Sequence, residues 1–169
     1  KNIVVCGHSD CRALYALYDM HNDCDHRHYH LESPLKTWVA LNGRRTAVKL
    51  SELFPEEIKP KDQTDPVAFN VNLGQGQITA FIDPENNFCI QDKLSQINCL
   101  EQASHVSTYP FLQTLIKTGV LQVHAMWFDV FTGNVYLFSH SDKRFVIVSD
   151  SSVKTLLTEC GFSGCSHKL

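Results

Sequence analysis

The 169-residue sequence predicts an α/β fold on the basis of three observations. An apolar run at residues 2–6 has the pattern of a strand in a parallel sheet, covered on both faces. Residues at helical spacing follow it, so strand and helix alternate early in the chain. Between residues 120 and 148, short strands are separated by turn residues. We therefore expect a mostly parallel central sheet flanked by helices, with an antiparallel closing hairpin.

The individual elements follow in order from periodicity and turn residues. The strand ends at Gly7, and a short helix is predicted over residues 12–20. Pro34 predicts the first turn of a second helix, because proline lacks the N–H that would have no partner there; Gly43 is a potential break in it. The remaining predictions are a hairpin over 67–82, helices over 92–106, 110–119 and 150–160, and strands over 120–128, 135–140 and 145–148.

The domain organisation is simple. No linker or internal repeat divides the sequence, so residues 1–169 are predicted to form one domain, with a disordered Gly/Ser-rich tail at 161–169. Lys1 leads directly into the first apolar strand without a preceding element. We expect the sequence to represent a fold truncated at its amino terminus.

Composition excludes several classes of function. The formal charge of −3 and the lack of a long basic stretch argue against nucleic acid or an anionic membrane as partner. No apolar run is long enough to cross a bilayer. The seven cysteines form no even disulfide framework, which favours a reduced intracellular compartment with some thiols reserved for metal.

The segment with specific chemistry is Gly7 to Cys11, directly after the first strand. His8 and Cys11 are three residues apart in the turn between strand and helix, where both can reach one metal ion. Imidazole nitrogen and thiolate sulfur are ligands that zinc favours. Sites in α/β sheets form at the carboxyl ends of strands, and the following helix would stabilise a Cys11 thiolate.

The sequence resembles the β-class carbonic anhydrases, in particular their animal branch. Residues 3–11, Ile-Val-Val-Cys-Gly-His-Ser-Asp-Cys, resemble the second zinc-binding signature of that family. The segment that starts at Ser33-Pro34-Leu35 is similar to the helix after the site. Further similar segments are Thr108 to Phe111, Gly119 to His124 and the closing hairpin Trp127 to Val135. The resemblance covers most of the chain, with residues 55–80 the weakest part.

The resemblance implies that His8 and Cys11 are ligands of Zn²⁺. It also implies reversible hydration of carbon dioxide to bicarbonate and a proton through a zinc-bound hydroxide. Family members supply another ligand, and a catalytic Asp–Arg pair, from an upstream Cys-x-Asp-Ser-Arg segment. No cysteine of this sequence is followed two residues later by Asp, so no catalytic residue can be assigned. Arg12 stands where many members have Gly.

Three interpretations of function remain open. The first is an incomplete copy of a carbonate dehydratase, whose complete form is a homodimer or larger and resides in the cytosol or the mitochondrion. The second is a truncated, inactive zinc-binding or partner-binding module. In the third, Cys6 completes the metal site. Because the family places strands beside residues 2–6, truncation would expose an apolar edge, and we expect the chain alone to be poorly soluble and inactive.

Other candidates have structural explanations. The alternating His26, His28 and His30 resemble a second metal site or a proton shuttle, but their polar surroundings favour a solvated loop. His124 lies in an apolar strand, which favours a hydrogen-bonded core histidine. Asp10 is either a general base or a helix cap.

The remaining cysteines are interpreted in the same way. Cys6 is expected to be a small buried hydrophobe at the strand end. Cys160, Cys165 and His167 imitate a metal cluster but fall in or next to the Gly/Ser tail, where they are expected to be unstructured or oxidised during handling.

Overall fold

A computed structural model describes residues 1–22, 33–54 and 67–162. These residues form six strands and five helices, close to the predicted order and bounds. The elements are β1 (Asn2–His8), α1 (Arg12–Asn22), α2 (Pro34–Leu53), β2 (Val67–Asn72), β3 (Gln77–Ile82), α3 (Ile90–Ser107), α4 (Pro110–Lys117), β4 (Gln122–Phe128), β5 (Val135–Ser139), β6 (Arg144–Ile147) and α5 (Val153–Glu159).

The six strands form one sheet in the order β1-β4-β5-β6-β3-β2. The β1–β4 and β3–β6 pairs are parallel, the latter through a single residue pair, and the other three pairs are antiparallel. The α/β class and the antiparallel closing hairpin are confirmed. The sheet is mixed rather than mostly parallel, because β5 and β6 follow β4 through short turns and a short turn can only reverse the chain.

Strand β1 forms as predicted, but its expected burial on both faces is wrong for the described residues. The burial alternates along the strand: Ile3 and Val5 are half-buried, whereas Val4 and Cys6 are exposed. Within the described part of the chain β1 pairs only with β4, so it is an edge strand. The apolar sequence of β1 therefore leaves one face and one edge without a partner among these residues.

Helix α3 is the centre of the fold. It packs against β1 and β4 on one side and against α1 and α2 on the other. Its contacts bury Leu94, Ile97 and Leu100 completely. Each such side chain contributes about 1.5–3 kcal/mol on burial. The helix thereby fixes the position of β1 relative to the two helices that follow it.

The predicted break at Gly43 does not occur, since α2 runs unbroken from Pro34 to Leu53. Gly43 is buried, and a Cβ built there would lie 2.5 Å from Cδ2 of Leu17 on α1. The missing side chain lets the two helices approach closely. Glycine here serves helix packing at a cost of about 1 kcal/mol in helix propensity.

The segment between β3 and α3 is held by a buried ion pair. The Lys93 ammonium lies 3.4 Å from the Asp83 carboxylate, and both side chains are more than nine-tenths buried. Asp83 also accepts hydrogen bonds from the backbone N–H groups of Asn87 and Phe88. These bonds satisfy the buried carboxylate and fix the start of α3, which borders the site described below.

The carboxy-terminal part is described as far as residue 162. Gly161 and Phe162 donate backbone hydrogen bonds to Thr158 and Leu157, so these two residues continue the end of α5. The rest of the predicted tail lies outside the described residues. In the described part of the chain, no helix is both long and apolar enough to cross a membrane.

Candidate metal centre

Residues 9–11 connect the carboxyl end of β1, whose last residue is His8, to α1, as the sequence predicts. The parallel register places His8 opposite Phe128, so the carboxyl ends of β1 and β4 lie side by side. The turn that follows β4 therefore borders residues 8–11. This is the edge at which sites form in α/β sheets.

Ser9 ties this loop to the β4–β5 turn. The side chain is fully buried; its hydroxyl donates to Oδ1 of Asp129 over 3.0 Å and accepts from the Val130 N–H over 2.8 Å. The Ser9 N–H donates to the Phe128 carbonyl over 2.9 Å, extending the β1–β4 pairing by one residue. The hydroxyl and the N–H of buried Ser9 thus find their partners within the protein, and these three bonds fix the position of the loop.

Asp129 is the acceptor that organises the turn. It is buried and also accepts from the Phe131 N–H and from the Thr132 hydroxyl, the latter over 2.6 Å. Burial alone would raise the pKa of Asp129, but the hydrogen bonds from Thr132, Phe131 and Ser9 outweigh burial and lower it. The carboxylate is therefore ionised at neutral pH and available to all three donors.

The backbone of His8 is held from the α3 side. The Ser95 hydroxyl donates to the His8 carbonyl over 2.6 Å and accepts from the indole N–H of Trp127 over 3.1 Å. Gly7 allows this approach, because an added Cβ would lie 3.1 Å from both Cβ of Cys99 and Cδ1 of Trp127. The close contact between α3 and β1 thus fixes the backbone position of His8, from which its side chain projects.

The His8 ring has a defined tautomer in its neutral form. Nδ1 lies 2.8 Å from the Ser9 carbonyl oxygen, and since a carbonyl can only accept, Nδ1–H is the donor. That leaves the Nε2 lone pair free to bind a metal, in the arrangement by which a carbonyl orients a histidine ligand. The exposed His8 side chain projects from the sheet end, where an ion could reach it.

Cys11 lies at the amino-terminal end of α1. Its carbonyl accepts the first hydrogen bonds of the helix, from Leu14 and Tyr15, and its thiol is free and half-buried. The helix end is a favourable place for a thiolate ligand. His8 and Cys11 are therefore both available at one loop, and their chemistry fits zinc.

Asp10 neither caps α1 through a described hydrogen bond nor has a described contact typical of a general base. Its φ of 53° is left-handed, a conformation that Asp tolerates better than most residues, and its N–H donates to Oδ1 of buried Asp92 over 3.0 Å. The Asp10 carboxylate lies 3.6 Å from the Arg12 guanidinium. Arg12 is largely exposed and lies over the Tyr15 ring, so it does not crowd the start of the helix.

A complete metal site is not formed by the described residues. Within 1–22, 33–54 and 67–162, no three His, Cys, Asp or Glu side chains are grouped so that they could hold an ion. The interpretation in which Cys6 completes the site therefore finds no support in this part of the chain. Cys6 is also exposed rather than buried as expected, since it lies on the open face of β1. The histidines at 26, 28 and 30 lie outside the described residues, as do Cys165 and His167.

His124 is the core histidine that the sequence predicts. It is buried, with Nε2 2.8 Å from Oδ1 of Asn2 and Nδ1 3.6 Å from the Cys160 sulfur. Desolvation, followed by the nearby His140, lowers the pKa of His124. Cys160 lies at the end of α5, so the expectation that it is unstructured is wrong; burial raises the pKa of its thiol, which can donate to the neutral imidazole.

Sequence reasoning assigned no role to the residues that position the loop: Ser9, Asp92, Ser95 and Asp129. The segment Asp129 to Gly133 carries a local signal, because Asp followed by Thr-Gly is typical of a turn in which the carboxylate accepts backbone N–H groups. The bond from Ser9 to Asp129 joins residues 120 positions apart. No periodicity or spacing in the sequence could indicate it.

The fold and the loop define a class: an α/β protein with a histidine and a cysteine in the loop at the carboxyl end of a strand. The family model described as carbonic anhydrase matches residues 1–135. The chain is 37% identical over 162 residues to beta carbonic anhydrase 1 of Caenorhabditis elegans and 38% identical over 160 residues to that of Caenorhabditis briggsae. The chain belongs to the β-class carbonic anhydrase family.

The comparisons also show how much of a family member is present. Each nematode alignment covers 94% of this chain but 56% of the relative, so the chain spans about half the length of these relatives. The solved structure of the β-carbonic anhydrase CcaA matches with a TM-score of 0.59 at 17% identity, over 88% of this chain and 52% of that one. This second likeness shows the fold alone.

Proposed function

We propose that this chain carries the His8–Cys11 half of a zinc site for the reversible hydration of carbon dioxide. The observation that supports it most directly is the Nδ1–H bond from His8 to the Ser9 carbonyl, which leaves Nε2 as a ligand atom. Cys11, three residues on and at the start of α1, supplies a sulfur ligand of the kind zinc prefers. Family membership is consistent with the reaction.

The proposed site assigns separate roles to the metal ion, to its two ligands and to the residues that hold the backbone. Zinc, when bound, supplies a water nucleophile at neutral pH and a positive charge for the product anion. His8 and Cys11 hold the ion, and Ser95 and Ser9 hold the backbone from which the ligands project. The buried network around Asp129 keeps this geometry fixed before any ligand binds, which reduces the cost of assembling the site.

The remaining ligand and the catalytic Asp–Arg pair are proposed to come from a Cys-x-Asp-Ser-Arg segment, as the family resemblance implies. This sequence contains no such segment, and its described residues offer no third ligand. Zinc with two protein ligands is bound weakly, because structural and catalytic sites use three or four. We therefore expect weak zinc binding and negligible turnover from these 169 residues alone.

The test compares this chain with a form extended upstream by the Cys-x-Asp-Ser-Arg segment. Carbon dioxide hydration is measured by stopped flow and zinc content by atomic absorption. The extended form should bind about one zinc and be active, and His8→Ala and Cys11→Ser should each abolish both. Cys89→Ser is the matched control, since Cys89 is a second free thiol directly before the start of a helix. Full activity of the short chain would contradict the proposal.

The alternative is a zinc-binding or partner-binding module without turnover. One face and one edge of β1 have no partner within residues 1–22, 33–54 and 67–162, and they offer a surface for another strand, which favours this alternative. It would be supported if the 169-residue chain by itself folded stably and bound zinc tightly but showed no hydration above the uncatalysed rate.

Assembly into a homodimer or larger form, with carbon dioxide and bicarbonate as ligands, belongs to the leading proposal. An intracellular location, cytosolic or mitochondrial, is proposed from the five described cysteines, all free thiols.

A further inference from the structure

A polar groove lies between α2, the second half of α3 and the edge strand β2. Its volume is about 470 Å³, within the range of small-molecule sites. Helix α2 lines it with its positive side chains, and β2 lines it with outward-facing carboxamides. The lining residues that the argument uses are Arg44, Arg45, Lys49, Asn70, Asn72 and Glu101.

The charges in this groove are unevenly compensated. Lys49 pairs with Glu52 over 3.1 Å, so these two charges neutralise each other. Arg44 and Arg45 form no ion pair within the part of the chain that the structure describes. Among the described lining residues, three cations face two carboxylates, so these residues carry a net positive charge on a chain of net charge −3. The guanidinium groups of Arg44 and Arg45 have no carboxylate partner among the described residues and can bind an external anion.

One of the two guanidinium groups is already oriented. Nη1 of Arg45 lies 3.2 Å from Nε2 of His105, which accepts because the guanidinium can only donate. This contact restrains the side chain and leaves further N–H groups of the same planar fork free. Such a fork matches the oxygen pairs of phosphate and carboxylate groups.

We propose that this groove binds a small organic polyanion, a molecule with phosphate or carboxylate groups on a polar body. The oxyanion groups contact Arg44 and Arg45, and the polar body contacts the carboxamides of Asn70 and Asn72. On α3, the groove residue Glu101 is nine positions beyond Asp92, which bonds to the Asp10 N–H. At 1.5 Å per residue, these two positions lie about 13 Å apart along the helix axis. The proposed site is therefore separate from His8 and Cys11 and does not depend on zinc.

The test is isothermal titration calorimetry of the whole chain with ATP, pyrophosphate and citrate, with adenosine as a neutral probe. We expect saturable binding below about 1 mM for at least one polyanion and none for adenosine, with affinity falling as sodium chloride rises. The three anions distinguish nucleotide, inorganic phosphate and carboxylate chemistry. The Cys11→Ser variant should bind the same anion unchanged, which separates this result from the metal site.

The variants assign the binding to the groove. Arg44→Gln with Arg45→Gln should weaken binding at least tenfold, whereas Arg44→Lys, which keeps charge but loses the fork, should weaken it less. The control Lys117→Gln with Lys154→Gln makes the same change in net charge at exposed positions elsewhere. Circular dichroism of each variant checks the fold. The proposal is overturned if no polyanion binds, if adenosine binds equally, or if the control variant weakens binding as much as the arginine variant.

Discussion

The two sides of the loop at residues 8–11 differ in how completely they are built. On the inner side, Ser9 is buried and bonded to Asp129, and the His8 carbonyl is bonded to Ser95. On the outer side, His8 is exposed and Cys11 half-buried, without a third ligand among the described residues. The buried support of this loop is thus formed by the described residues, whereas the proposed coordination sphere is not. Substitutions on the inner side of the loop should therefore lower the stability of the protein, whereas substitutions of His8 and Cys11 should affect zinc binding.

Removal of the Asp129 carboxylate should have the largest effect on stability. Asp129→Ala leaves the Ser9 hydroxyl and the Phe131 and Thr132 donors without their acceptor, and we expect a loss of about 2–4 kcal/mol in the free energy of unfolding. Urea unfolding measures it. Asp129→Asn keeps one acceptor oxygen and should cost roughly half as much. Equal stability of all three proteins would show that the inner side does not hold the loop.

A methyl group at Gly7 should have the next largest effect. The Cβ of Gly7→Ala would lie 3.1 Å from Cys99 and Trp127, both buried, so α3 or the strand must shift. Overpacking of this kind costs about 1–3 kcal/mol. Thermal unfolding measures the loss, and Trp127 fluorescence reports whether the indole environment changes. An unchanged melting temperature would mean that α3 can move away without loss.

Stability should fall as the pH drops below about 6.5, the ordinary pKa of histidine. Burial, with His140 nearby, lowers the pKa of His124, and burial lowers that of His140 despite the opposing effect of Glu159. The unfolded chain then binds protons that the folded chain does not, so their contribution is complete above pH 6.5 and is lost below it. Urea unfolding at pH 7.5 and 5.5 measures the difference.

His124→Gln should reduce this slope, because it removes one of the two histidines. Asp129 and Glu159 do not interfere in that window. Because the pKa values of these two carboxyl groups are lowered, their contribution to the stability of the protein is lost only at more acidic pH, near and below about 4. A stability that stays flat from pH 7.5 to 5.5 would contradict the assignment to the histidines.

The smallest effect is expected at Arg12. Its side chain is 83% exposed and 3.6 Å from the Asp10 carboxylate, so the pair is screened by water. Arg12→Ala should change the free energy of unfolding by less than about 0.5 kcal/mol. Arg12→Gly should cost more, about 1 kcal/mol, because glycine weakens the first turn of α1. Denaturant midpoints of the two variants separate these outcomes.

Most elements of the fold could be predicted from local pattern. The Leu14–Leu17 spacing of α1, the proline at position 34 and the Thr132-Gly133-Asn134 turn each act within a few residues, and each element appears as predicted. The errors concern burial and partners. Cys6 is exposed because nothing in the described chain covers that face of β1, and periodicity carries no information on what lies opposite a strand.

The sequence by itself determined the strand-turn-helix around His8 and Cys11, and so the family and the two proposed ligands, because these features depend on neighbouring residues. Only the tertiary structure revealed the supports of the loop: Ser95 on the His8 carbonyl, Asp92 on the Asp10 N–H and Asp129 on Ser9. Those bonds join residues 82 to 120 positions apart in the chain. Such partners are chosen when α3 packs on β1 and β4, since burial then requires each polar group to find an acceptor or donor within reach.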